Sequence, residues 1–224
     1  MQVDRSLIKL IDVWKGYGST KVLKGINLDV MEGDFISVRG KSGAGKTTLL
    51  KIIGLLEEPD MGYVEFFSKA VNELGDDEKS ELRLHSIGFV FQFFNLIPSL
   101  TVLENIELPL ALAGVGKHQR RRRAVELLEY FGLIDLAGRF PETLSGGERQ
   151  RVAVIRAMAN SPKIILADEP TSSIDDENSQ LLTDLLKKIN RERKVTIILT
   201  TTDLYEKLPT NRDFILKDGR LIGC

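Results

Sequence analysis

Gly40-Lys41-Ser42-Gly43-Ala44-Gly45-Lys46-Thr47 stands between a short apolar run, Phe35-Ile36-Ser37-Val38, and a helical pattern that opens Lys46-Thr47-Thr48-Leu49-Leu50. Every fixed position of a phosphate-binding loop is filled, and the strand before and helix after supply the context that loop needs. The glycines let successive backbone N–H groups turn inward onto phosphate oxygens, at a helix N-terminus whose dipole favours anions. Lys46 is placed to reach the outer phosphates and the Thr47 hydroxyl to ligate Mg²⁺. The candidate nucleotide contacts here are therefore Gly40, Lys41, Ser42, Gly43, Ala44, Gly45, Lys46, Thr47 and Thr48.

Upstream, residues 6–13 and 21–30 read as strands, separated by the turn-like Lys15-Gly16-Tyr17-Gly18. Downstream, the helix from Lys46 runs through Leu56 and is closed by Pro59-Asp60 and Gly62. Residues 63–67 and 87–91 are strand candidates around a polar helix at 72–83. After Gln92, residues 101–113, 117–131 and 148–160 carry helical spacing, which predicts an all-helical insertion near 93–158. Strands return at 163–167 and 195–199 around a helix at 177–191, and the tail predicts a hairpin turning at Lys217-Asp218-Gly219. Short apolar strands separated by helices imply a mainly parallel α/β sheet covered on both faces.

Composition fits one large globular domain. Of 224 residues 42% are hydrophobic, and 31 basic against 32 acidic residues leave a net charge of −1, which removes bulk electrostatics as a reason to bind nucleic acid. The lone cysteine, Cys224, excludes an intrachain disulfide and is consistent with a reducing compartment. Residues 1–9 lack an apolar signal-peptide core, and no run of about 18 apolar residues occurs. A cytosolic protein is expected.

Ile164-Ile165-Leu166-Ala167-Asp168-Glu169-Pro170 is an apolar strand ending in two carboxylates. Such an end lies at the carboxyl edge of the sheet, where nucleotides sit. Neighbouring residues there point to different sides, so Asp168 is expected to hold Mg²⁺ and Glu169 to orient and polarise the attacking water. Leu144-Ser145-Gly146-Gly147-Glu148-Arg149-Gln150 is a second anion-binding turn at a helix start.

Phosphate loop, Leu-Ser-Gly-Gly-Glu-Arg-Gln and Asp-Glu-Pro, in this order, resemble the ATP-binding cassette (ABC) ATPases over essentially the whole chain. The resemblance implies an α/β, P-loop NTPase (RecA-like) core with an antiparallel β subdomain and an inserted α-helical subdomain. Residues 1–92 and 159–224 would form the core, and 93–158 the helical subdomain carrying the signature turn. It also implies that two cassettes pair head to tail around ATP. Ser145, Gly146, Gly147 and Glu148 of one would then grip the γ-phosphate held by the other's phosphate loop. Tyr17 resembles the aromatic residue that stacks on adenine, with an ordinary turn tyrosine as the alternative. Gln92 resembles the loop glutamine that senses γ-phosphate and Mg²⁺. Asp175, in Ser173-Ile174-Asp175, resembles the loop that bridges the subunits; it is also placed to cap the following helix.

One position departs from the family pattern. Where a histidine normally precedes an aspartate, this chain has Thr202-Asp203. Threonine donates one hydrogen bond but is shorter and carries no positive charge. The remaining histidines, His85 and His118, read as surface residues, and slower turnover with ATP binding intact is expected. Arg120 to Arg123 precede an apolar helical stripe and read as a solvated helix face. Residues 93–98, Phe-Phe-Asn-Leu-Ile-Pro, either pack within the helical subdomain or help form the groove that the family offers to a membrane subunit.

These features imply an ATP-hydrolysing subunit, with ATP and Mg²⁺, that drives a separate transmembrane permease from the cytoplasmic face of the membrane. Its partners would be that permease and a second copy or homologous ATPase, with no nucleic acid. Residues 88–98 and 104–110 resemble the lipoprotein-release and macrolide-exporter branch, which points to export of lipoprotein, peptide, drug or another amphipathic substrate. A mechanotransmission or regulatory ATPase that moves no substrate is the alternative. Chromosome-type relatives would need a long heptad-rich insertion, and translation-factor types a second cassette; neither is present.

Overall fold

A computed structural model describes residues 6–223. Cys224 and the first part of the N-terminal segment lie outside the described residues. The chain runs β1 (Ser6–Tyr17), β2 (Thr20–Met31), β3 (Phe35–Arg39), α1 (Lys46–Ile53), β4 (Met61–Phe66), β5 (Lys69–Ala70), α2 (Asp76–Ser86) and β6 (Ile87–Val90). It continues with α3 (Val102–Leu112), α4 (Lys117–Tyr130), α5 (Gly146–Ala157), β7 (Ile164–Asp168), α6 (Asp176–Arg193), β8 (Thr196–Thr201), β9 (Arg212–Lys217) and β10 (Arg220–Gly223).

Two sheets result, one antiparallel in the order β2-β1-β4-β5 and one of six strands in the order β10-β9-β3-β8-β7-β6. In the second, β9, β3, β8, β7 and β6 are parallel, and only the C-terminal hairpin strand β10 runs antiparallel. Period-two alternation sends successive residues of its buried strands to opposite cores. Phe35, Ile165, Ala167, Ile197 and Leu199 join the core built with α3 to α6. Ile36, Val38, Ile164, Leu166 and Ile198 join the core built with α1 and the antiparallel sheet. A sheet buried on both faces explains why these strands are near-continuous apolar runs.

This parity also aims the chemistry. Asp168 continues the series Ile164, Leu166, and Thr200 continues Ile198, so both side chains emerge on the α1 face. The strand register sets them side by side. Phosphate loop, acidic strand end and β8 all finish at the same carboxyl edge.

The polar helix expected at 72–83 lies instead at Asp76–Ser86, and two further boundaries differ nearer the site. Residues 15–17 are not a turn: β1 extends through Tyr17, and Gly18-Ser19 makes the turn into β2. Asp60 holds that end of β1 in place, accepting from the Gly16 N–H at 2.8 Å and from Lys15 Nζ at 3.1 Å. Helix α1 stops at Ile53, well before Pro59. The chain leaves helical geometry at Leu55, whose φ is 58°, and Gly54 just before it packs so close to Phe89 that a Cβ would lie 2.6 Å from the ring.

Candidate functional site

The phosphate loop is anchored at its root, where Gly40 N–H donates to the Thr201 carbonyl at 3.1 Å. A Cβ on Gly40 would meet the Leu216 carbonyl oxygen at 2.7 Å, so glycine is required for that approach. Gly43 and Gly45 take φ values of 77° and 102°, a region that side chains disfavour. Lys46 is nearly fully buried and folds back under the loop, donating to the Gly40 and Lys41 carbonyls at 2.8 and 3.1 Å. Its ammonium also lies 3.1 Å from Glu169 Oε1.

Thr47 Oγ1 donates to Asp168 Oδ2 at 2.8 Å. Thus four of the expected residues, Lys46, Thr47, Asp168 and Glu169, converge on one point. Their donors suit Mg²⁺, a hard cation that takes a hydroxyl, one or two carboxylates and substrate phosphates rather than a dedicated protein cage. No group of three or more His, Cys, Asp or Glu able to hold a metal occurs among the described residues. Glycines whose Cβ positions are blocked, and N–H groups at a helix start, fit a phosphate chain.

Two further candidate residues lie at strand ends. Tyr17 is half exposed at the end of β1, with its hydroxyl donating to Glu57 Oε2 at 2.7 Å and lying 3.5 Å from Thr48 Oγ1. Gln92 is half buried in the first turn after β6. The segment beyond it is held by Arg156, whose guanidinium donates to the Asn95 and Phe94 carbonyls at 2.5 and 3.1 Å. Phe94 and Asn95 both adopt positive φ there.

The signature turn is a separate structure. Ser145 caps α5, accepting from Glu148 N–H at 3.2 Å, while Glu148 Oε2 accepts from Ser145 N–H at 2.8 Å. That capping box holds the Glu148 carboxyl below the usual carboxylate range, chiefly through the Ser145 backbone N–H. A Cβ on Gly147 would fall 1.9 Å from Asn178 Oδ1, so this glycine is a packing necessity against α6. Asp175 in turn caps α6, accepting from Asn178 N–H at 2.9 Å and from its side-chain amide at 2.8 Å. Gly146 packs against Ile174 and Phe94 and Gly147 against Asn178, whereas the phosphate loop packs against Thr201, Leu216, Asp168 and Glu169. The phosphate loop and signature turn therefore have different neighbours on one chain.

Thr202 is exposed in the bend after β8. The histidines take no part in the site: His118 is exposed, and His85 pairs with Glu81 at 3.2 Å along α2. The basic run is occupied on the surface, with Arg121 pairing to Glu107 at 3.3 Å and Arg122 to Glu126 at 3.4 Å.

Two structural residues escape a motif reading. Gln150 is fully buried and its amide donates to the Phe91 and Pro170 carbonyls at 3.2 and 2.9 Å, tying the ends of β6 and β7 to the signature helix. Thr200 is fully buried and bonded to both members of the acidic pair.

Residues 23–172 match the family described as ABC transporter. The chain belongs to the ABC transporter family. It is 44% identical over 215 residues to the lipoprotein-releasing system ATP-binding protein LolD of Bacteroides thetaiotaomicron, spanning 96% of this chain and 99% of that relative. It is likewise 44% identical over 223 residues to the uncharacterized ABC transporter ATP-binding protein MJ0796 of Methanocaldococcus jannaschii, spanning 96% and 95%. The cassette superposes on the dimeric post-hydrolysis structure of MJ0796 bound to ADP and Pi with a TM-score of 0.86, covering 96% of each chain. The protein is an ATP-binding and ATP-hydrolysing ABC subunit, with the core, β-sheet and helical parts expected from its motifs.

Proposed function

We propose that this ATPase closes head to tail with a second copy around two Mg²⁺–ATP, and that closing and reopening drive a separate membrane permease. One observation carries the reading: a phosphate-binding centre and a second anion-binding helix start coexist on one chain with different neighbours. A single triphosphate cannot use both, so the signature turn finds its phosphate on a partner.

Within each composite site Lys46 leaves the Glu169 carboxylate for the outer phosphates, keeping its loop carbonyls. Glu169, freed of the lysine, accepts a hydrogen bond from the attacking water and takes its proton. Thr47 and Asp168 hold Mg²⁺ with Gln92 alongside, and the ion supplies charge neutralisation on the phosphates. Tyr17 offers its half-exposed ring to adenine. Ser145, Gly146, Gly147 and Glu148 of the partner close over the γ-phosphate, and Asp175 stands at the seam.

Permease coupling is supported by an apolar groove of about 320 Å³ between the sheet and helical parts, lined by Leu84, Phe89, Phe91, Leu108, Leu112 and Arg156. Leu112 and, just after Gln92, Phe93 are left 69% and 72% exposed, which is costly unless covered. A short helix of a membrane subunit fits this position. No helix among the described residues is long and apolar enough to cross a membrane. In this reading the permease supplies the span and the cassette works from the cytoplasmic face. Its relative named for lipoprotein release favours an amphipathic substrate over a purely regulatory role.

Ser145→Arg tests the pairing. Ser145 is exposed, so the larger side chain fits the monomer at the cost of one helix cap, about 1 kcal/mol. ATP binding to the monomer is expected to persist while ATP-dependent dimer formation, read by light scattering, disappears. An unchanged dimer would overturn the arrangement. Thr202→His tests the departure at the switch position. A histidine there adds a charge-assisted hydrogen bond worth roughly 1.5–3 kcal/mol, so steady-state hydrolysis is expected to rise about tenfold or more. No increase would sink the idea that threonine slows turnover.

A further inference from the structure

We propose that Thr200 is a positioning residue that holds the Asp168 carboxylate and the Glu169 backbone in the geometry that metal binding and water attack require. The proposal rests on the roles given above to those two acids.

Thr200 is the register partner of Asp168 on the neighbouring parallel strand. Its hydroxyl donates to Asp168 Oδ1 at 2.7 Å and accepts from Glu169 N–H at 3.1 Å. One hydroxyl thereby gives its single proton to one acid and a lone pair to the next. Asp168 is gripped from both sides, because its other oxygen accepts from Thr47. A carboxylate held at both oxygens cannot rotate away when a cation arrives, which is how outer partners tune a metal ligand.

Glu169 gains differently. Its φ is 46°, in the left-handed region that a residue with a Cβ enters at a cost. That kink throws the side chain from the strand toward Lys46. The Thr200 bond to its N–H and the Ser172 hydroxyl on its carbonyl, at 2.8 Å, fix the peptide on both sides. Strand propensity alone does not explain Thr200, since valine or isoleucine would serve a fully buried strand site with no hydroxyl to satisfy. The next residue, Thr201, points to the opposite face and donates to Glu206 at 2.9 Å, so threonine at 200 is specific to the acid side.

The test is a Mn²⁺ titration of the ADP-loaded protein, reading bound metal by electron paramagnetic resonance, with wild type, Thr200→Val, Thr200→Ser and Asp168→Asn. Valine keeps the shape and removes both bonds. Metal affinity is expected to fall about 10- to 100-fold, the usual cost of losing such a partner. ADP affinity without metal should be unchanged, and serine should restore metal binding. A valine variant that titrates like wild type while Asp168→Asn is weakened would overturn the role of Thr200. If Asp168→Asn also titrates like wild type, the metal assignment itself fails. Where valine does not fold, Thr200→Cys, a much weaker donor of similar size, carries the same expectation.

Discussion

Glu169→Gln is expected to lower steady-state ATP hydrolysis about 10²- to 10⁴-fold, the contribution of a positioned general base, and to hold the protein as an ATP-bound dimer. Glutamine preserves the length and the hydrogen-bonding tip but cannot take a proton. In the nucleotide-free cassette the change removes the 3.1 Å ion pair with Lys46. Lys46 keeps the Gly40 and Lys41 carbonyls, so the loop should not collapse. Losing that pair also releases the lysine for phosphate, which favours binding over turnover. Phosphate release and size-exclusion chromatography at saturating ATP read the two halves of the prediction. A variant that remains monomeric, or that hydrolyses at the wild-type rate, contradicts the assignment of Glu169.

Lys46→Ala should act on the opposite side, on ATP affinity. The ammonium offers charge-assisted bonds to phosphate oxygens, each worth roughly 1.5–3 kcal/mol, so losing two of them weakens binding by about 10²-fold or more. Unlike Glu169→Gln, this variant should not reach a dimer at ordinary ATP concentrations. Isothermal titration with ATP measures the loss. The melting temperature without nucleotide provides the control: Glu169 retains 19% side-chain exposure and can take water when its partner is gone. Wild-type affinity would remove Lys46 from the site.

The site was legible in the sequence where spacing and chemistry coincide. Lys46, Thr47, Asp168 and Glu169 could be read because glycine spacing and a carboxylate pair after an apolar strand admit few other uses. The parallel core was legible for a related reason, since a strand buried on both faces has to be apolar throughout. Tyr17 was harder. Two glycines near it signal a turn, yet Asp60, far along the chain, holds the backbone extended through Gly16. The close approach at Gly54 was hidden similarly, because the Phe89 ring it meets lies on another strand. Thr200 carries no motif and Gln150 merely closes the signature heptapeptide, and the structural roles of both depend on partners that only the folded register supplies.

Asn178 gives the cassette a property that neither motif has alone. Gly147 leaves it no clearance, Arg151 donates to its oxygen at 3.3 Å, and Asp175 clasps its amide. The start of the signature helix and the loop before α6 are thus welded into a single block. In the proposed head-to-tail pair that block would border the partner's nucleotide. The consequence is mechanical: Asp175 and the signature turn cannot shift independently, so a displacement of one carries the other with it.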